Sequence, residues 1–428
     1  MKFVGSILLC LFSIQLWAIE PYLDSYEKVA SYSLEELKAF WKKANIPQFI
    51  APVNYGVDLY EVIYVSTWID GSPVKASGLY FVPQGKRNDL PLVIYHHGTR
   101  IEKERKIKLG GEQGICVGFA ADGYAVLMPD YFGLGKGEQK HLYVHAETEA
   151  LSAIDMYRSV KALNIKEGVS WGDKLFLTGY SQGGHAAMAT HLKMQRDFPD
   201  EFKVTASAPM SGPYDVSGDQ GTVMFKPYSH PGYLPYLIYS YQEAYKFVAD
   251  SRTLFKAPYD SILPPLFDGN HSMNEINKLL PDVPKDMIAD DIVKAFLEDT
   301  SFAFRKALQA NDVYDWKPEA PVLLCYCQSD EQVNYKNSLK AEQTMKRNGA
   351  QSVKLRHSGK KFGHGTCALY TSIYTKMWFD SFVDGSTKGK KGPVFKRMLV
   401  SISKAKLVHD QKKRARKKKK DAKNAAGN

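Results

Sequence analysis

Short runs of apolar, β-branched and aromatic residues alternate along this chain with longer segments of helical period. Residues 33–46 open on Ser33 with Glu36 three positions later, a capping box that predicts a helix. Residues 57–69 and 74–82 are strand-like and flank Asp70-Gly71, a hairpin signal. Residues 92–95 and 124–128 read as short buried strands, with a helix over 114–121 between them. A helix follows over 146–163, then an apolar strand around Leu175–Leu177, an alanine-rich helix after Gly184 and a strand over 204–208. The alternation then stops. Residues 214–316 are rich in proline and aromatics, with two or three amphipathic helices and no buried strand in the pattern. It resumes with a strand at 322–327, a helix at 336–346, a strand at 353–356 and a helix at 367–382.

An antiparallel start followed by βα units predicts an α/β fold: a mostly parallel sheet carrying a late helical insertion. The expected organisation is a leader over 1–18, a first core part over 19–213, a helical cap over 214–316, a second core part over 317–386 and a tail over 387–428. The leader reading rests on one lysine, an apolar run too short to span a bilayer, and the small residue Ala18. Cys10 follows Leu9, a poor context for a lipid anchor, and no later apolar run is long enough for a membrane helix. The chain is therefore expected to be exported, secreted or periplasmic.

Charge is uneven. The net charge is +11, and from Lys388 onward sixteen Lys or Arg face two Asp, which leaves −3 for everything before. The basicity belongs to a tail that cannot bury a core. It is expected to be solvated, with binding of an anionic surface or polyanion as the functional alternative.

The chemistry centres on Gly179, Tyr180, Ser181, Gln182 and Gly183, a G-x-S-x-G between strand and helix. Such a turn strains its apex and lifts a serine hydroxyl clear, provided that glycines flank it. A serine nucleophile needs a base, and the base an orienting carboxylate, which in this architecture follow in the order Ser, Asp or Glu, His. Asp330 is separated by two residues from the strand end at 327, in QSDEQV, with Glu331 as the alternative acid. Of the later histidines, His364 sits in the glycine-flanked loop GKKFGHGTC before a helix; His357 ends a strand and His409 lies in the tail. The expected catalytic set is Ser181, Asp330 and His364.

Two backbone N–H donors for an oxyanion are expected at Gln182, directly after the serine, and at Thr99 in YHHGT, with His97 as the competitor. Adjacent His96 and His97 point to opposite sides of an extended chain, which favours hydrogen bonding at a sheet end over metal ligation. The glycines of MPDYFGLGKGE lack the G-K-[ST] of a phosphate loop and read as a tight loop that Asp130 holds by hydrogen bonds. His185 and His191 read as helix-surface or core residues. No metal and no organic cofactor is implied. Cys116, Cys325, Cys327 and Cys367 allow three pairings; Cys325 and Cys327, alternate residues of one strand, are poorly placed to bond each other, and Cys367 could tether its loop to either.

Together YHHGT, PDYFGLG, GYSQGGHAA, SDEQV and GHG resemble the α/β-hydrolases, and among them the secretory lipase group of exported serine esterases with an inserted helical cap. The resemblance spans roughly residues 52–383. It implies Ser181 as nucleophile, Asp330 as acid and His364 as base, whereas HHGT departs from that group's oxyanion loops. In the cap, Tyr233, Leu234, Leu237, Ile238, Tyr241 and Tyr245 share a helix face, expected either to pack the cap on the body or to line an acyl pocket. The expected function is an exported ester hydrolase acting on a small-molecule or lipid ester. A serine exopeptidase of the same fold and a non-catalytic polyanion-binding protein are the alternatives.

Overall fold

The computed structural model describes residues 22–48, 51–383, 400 and 404. The expected leader, Cys10, His409 and nearly all of the expected tail lie outside the described residues. No described helix is long and apolar enough to cross a membrane.

Among the described residues nine strands form one sheet: β1 (Tyr22–Tyr32), β2 (Val57–Thr67), β3 (Pro73–Pro83), β4 (Leu90–His96), β5 (Ala125–Pro129), β6 (Trp171–Tyr180), β7 (Val204–Met210), β8 (Val322–Cys327) and β9 (Val353–Gly359). Their order is β1-β2-β3-β5-β4-β6-β7-β8-β9. The pairs β1–β2, β2–β3 and β3–β5 are antiparallel, and every pair from β5–β4 onward is parallel. The helices are α1 (Leu34–Lys43), α2 (Gly111–Ala120), α3 (Ala146–Glu167), α4 (Gln182–Asp197), α5 (Tyr233–Tyr245), α6 (Tyr259–Ile262), α7 (Met273–Asn277), α8 (Asp290–Glu298), α9 (Ala303–Ala310), α10 (Lys336–Arg347) and α11 (His364–Val383).

Alternation along the strands builds two cores. In β4, Val93 and Tyr95 join a cluster with α1, α2 and α11, while Leu92 and Ile94 join one with α3 and α4. Both faces are covered, so the central strands are apolar throughout. The capping box of α1 is formed, with Ser33 Oγ accepting from Glu36 N–H and Glu36 accepting from Ser33 N–H.

Three elements differ from expectation. β1 had no sequence signal: YLDSYEKVASY is mostly exposed and lies at the sheet edge, so only one side of it pairs. Between β7 and β8 five short helices replace the expected two or three, because prolines divide the segment; its strand-like pairing is the single bridge Phe255–Ile288. The segment closes at its base where Val313 N–H donates to Tyr214 O at 2.9 Å. His364 was expected in a loop but opens α11, which starts three residues before the expected helix.

Cys327 and Cys367 form a disulfide, and Cys116 and Cys325 are buried thiols. Within the stretch expected to be solvated, Val400 is fully buried, and the Lys404 ammonium donates to Ser358 O and lies over the Tyr370 and Tyr374 rings.

Candidate active site

β6 runs into α4 without a connecting loop, and Ser181 sits at the junction with φ 62° and ψ −122°. Such a conformation costs a non-glycine residue on the order of 1–3 kcal/mol and needs surrounding structure to hold it. That structure is main chain. A Cβ at Gly179 would strike the carbonyls of Gly183 and His96, and one at Gly183 those of His96 and His97. Ser181 N–H donates to Met210 O at 3.0 Å, which locks the apex to the end of β7. As the first residue of α4, Gln182 has a backbone N–H with no partner inside the helix.

The structure brings Asp330 and His364 together. Both Asp330 carboxylate oxygens lie 2.8 Å from His364 Nδ1, and one of them also accepts from the N–H groups of Gln332 and Val333, fixing the carboxylate. Glu331 acts elsewhere, accepting the backbone N–H of His364 at 2.9 Å and so holding the start of α11. Tyr180, next to Ser181, sets its ring at a tilt with its centroid 4.7 Å from that of the imidazole and donates its hydroxyl to His364 O at 2.6 Å. Nδ1 is thereby committed to Asp330, and Nε2 is the ring nitrogen that the acid does not engage. His357 pairs across the sheet with Tyr326 and takes no part in this arrangement.

The turn after β4 lies against the elbow, with Gly98 packed on the Tyr180 carbonyl. Gly98 N–H is already bonded to Glu112 at 2.9 Å, leaving the next N–H, that of Thr99, without a partner among the described residues. Thr99 Oγ1 is 3.1 Å from the Tyr143 hydroxyl. His97 contacts the carbonyls of Gly98 and Asp130 through its two ring nitrogens, and His96 Nε2 contacts Thr190, both hydrogen-bonding roles. Asp130 anchors its loop through Ser77, Arg100 and Arg105. Burial works to raise the Asp130 carboxyl, but the guanidiniums of Arg105 and Arg100 outweigh it and hold it well below the usual carboxylate range.

Two carboxylates, half-buried Glu112 and fully buried Glu149, were missed by sequence reasoning. Glu112 of α2 grips Gly98 N–H and takes the Tyr95 hydroxyl at 3.0 Å; burial pushes it up to about 7 against those hydrogen bonds. Glu149 of α3 is fully buried between Gln182 Nε2 at 2.8 Å and His185 Nδ1 at 2.7 Å. Gln182 Nε2 also reaches His141 Nε2 at 2.9 Å; burial lowers His141 to about 3, so its neutral ring accepts there. A detectable signal was present for Glu149, which shares the helix stripe of Ala153, Met156 and Val160. His185 and His191 are both core residues, the latter on Ser207 Oγ.

Ser181 opens on a cavity of about 70 Å³ walled by Tyr143, Met224, Tyr233, Leu234, Leu237 and Val333. Part of the expected helix face, Tyr233, Leu234 and Leu237, lines it, while Tyr241 is buried in packing and Tyr245 is exposed. A larger cleft, about 1300 Å³, opens elsewhere beside α5, and none of Ser181, Asp330 and His364 lines it. No group of His, Cys, Asp and Glu among the described residues is arranged to hold a metal ion.

No family model and no curated protein sequence matches the chain. Solved structures do. A Legionella pneumophila protein with a provisional assignment as a hydrolase is 28% identical, over 86% of this chain and 100% of that one, with a TM-score of 0.78. The rice cell wall degrading esterase LipA from Xanthomonas oryzae is 27% identical over 85% of this chain and 98% of its own, TM-score 0.76. Candida antarctica lipase A in its closed state shares the fold at 16% identity, over 87% of this chain and 84% of its own, TM-score 0.63. The architecture is that of the α/β-hydrolases, as the sequence resemblance implied.

Proposed function

We propose that this chain, an ester hydrolase by its architecture and its hydrolase and esterase neighbours, cleaves carboxylic esters through an acyl-enzyme formed on Ser181. The observation that carries the reading is the Asp330–His364 pair, 2.8 Å apart, held against Tyr180, which directly precedes a strained serine at a strand–helix elbow. In this mechanism His364 Nε2 takes the Ser181 proton as Oγ attacks the ester carbonyl. Asp330 holds the tautomer that carries the proton on Nδ1 and stabilises the imidazolium that forms. The backbone N–H groups of Gln182 and Thr99 receive the developing oxyanion. His364 then protonates the leaving alcohol, and water repeats the sequence to release the acid. The leader-like residues 1–18 support export of the enzyme.

An exopeptidase would need a carboxylate to hold the substrate amine, and the cavity at Ser181 has apolar walls with no acidic residue among those that line it. This favours esters. The test is turnover of p-nitrophenyl esters by the wild type and by Ser181→Ala. Loss of turnover in a folded Ser181→Ala protein is expected; equal turnover in the two would sink the assignment.

A further inference from the structure

Met224 and Leu234 stand between two apolar hollows. The first is the cavity of about 70 Å³ onto which Ser181 opens. The second, about 20 Å³, is enclosed by Phe225, Ile238, Phe247, Leu254, Phe296 and Phe304. Met224 and Leu234 line both and are themselves buried. Met224 is the buried residue of the short turn Gly221–Phe225, and Leu234 lies in the first turn of α5, so the partition is two side chains from separate elements.

We propose that Met224 and Leu234 set the acyl-chain length this enzyme accepts, by closing the serine cavity against a second apolar chamber that continues it. The proposal rests on the ester-hydrolase reading and names its substrate class: esters of short-chain acids. A space of about 70 Å³ is roughly half the ~150 Å³ of an apolar cavity that takes up benzene, a molecule of six carbons. An acyl chain leaving Ser181 therefore meets the partition after a few carbons. Beyond it the walls are apolar apart from Lys285. The roof is loose as well: Ile292, Val293 and Phe296 of α8 face the second hollow, yet α8 has no fully buried residue. Truncating either partition residue joins the hollows, with Lys285 the one charged side chain lining the second. Methionine, unbranched and with several rotatable bonds, is a poor wall compared with a branched side chain, so the Met224 side should yield more readily.

The experiment is a p-nitrophenyl ester series from acetyl through butyryl and octanoyl to dodecanoyl, run on the wild type, Met224→Ala, Leu234→Ala and Met224→Phe. The wild type is expected to fall steeply beyond butyryl. Each alanine variant should raise the octanoyl-to-butyryl ratio of kcat/KM by about tenfold or more, and Met224→Phe should lower butyryl relative to acetyl. Should both alanine variants fail to fold, Met224→Val reads the same direction at a smaller change of volume. A wild type that already prefers octanoyl, or variants that turn over butyryl with an unchanged profile, would overturn the partition alone. Absence of any ester turnover in folded wild type would instead sink the ester-hydrolase reading beneath it.

Discussion

Cys327 and Cys367 are bonded to each other, and each stands three residues from one half of the Asp330–His364 pair. The disulfide thus joins the end of β8, which delivers the acid, to the first turn of α11, which delivers the imidazole. Closing a separation of 40 residues is worth about 4 kcal/mol in the chain-entropy model, and 2–4 kcal/mol is typical. The double variant Cys327→Ala/Cys367→Ala should lose about that much in urea unfolding and show a lowered kcat. An unchanged kcat would mean the disulfide stabilises the fold without positioning the pair.

Asp330 and Glu331 adjoin in sequence and should separate in kinetics. Asp330→Asn removes the carboxylate that fixes the imidazole tautomer, and a loss in kcat of about 10⁴ with little change in KM is expected. Glu331→Gln weakens only the hold on the His364 backbone N–H. Its expected effect is about 1 kcal/mol of stability and a small loss of kcat. A larger kcat loss in Glu331→Gln than in Asp330→Asn would reverse the two roles.

Glu112 should give the protein a pH-dependent stability that Glu112→Gln lacks. Burial raises its carboxyl from the ordinary 4.5 to about 7, so between those values the folded protein keeps a proton that the unfolded chain releases. Folding therefore binds protons, and the stability linked to them is fully present below pH 4.5 and is lost as pH rises through 7. The difference in Tm, wild type minus Glu112→Gln, should become more negative as pH rises across this window. A constant difference would mean that Glu112 titrates normally.

Asp130→Ala takes from Arg105, nearly inaccessible to solvent, the more buried of its two carboxylate partners and leaves it Glu61. Breaking a buried pair from one side costs about 3–5 kcal/mol when the remaining charge is unpaired; with Glu61 still on Arg105 the loss should fall below that range, measurable as a lower urea midpoint. Arg100, bonded to Asp130 at 2.9 Å, directly follows Thr99, so kcat should fall as well. A stability loss below about 1 kcal/mol would show that the guanidiniums find other partners.

Local chemistry made much of this legible. The elbow carried its own strand, glycines and helix, so the position of Ser181 in the fold followed from a short stretch. Asp330 and His364 were readable because strand ends in such a sheet meet at one edge. β1 was not readable, since an edge strand paired on one side needs no alternation, and its polar residues resemble a loop. Glu112 was hidden for another reason: its partner, Gly98 N–H, is a backbone group fourteen residues away that no side-chain pattern announces. Glu149 left a trace, an acid on an apolar stripe, but its meaning depended on Gln182 and His185 arriving from α4. The Cys327–Cys367 pairing required the starting point of α11, which a run of Gly and Lys before His364 obscures.

The polypeptide leaves the sheet at β7 and returns at β8, and these are adjacent strands: Met210 pairs with Cys325, and Ser211 N–H donates to Cys325 O at 2.9 Å. Just above, the Val313–Tyr214 hydrogen bond cinches both ends of the excursion into a narrow stalk. Everything between is a detour that strand registry does not depend on. Recombination could swap such a cassette for one of another size while Ser181 and the Asp330–His364 pair stayed on the retained scaffold. Substrate range and proton relay can therefore evolve on separate clocks, and a graft at Tyr214 and Val313 is where an engineer would cut.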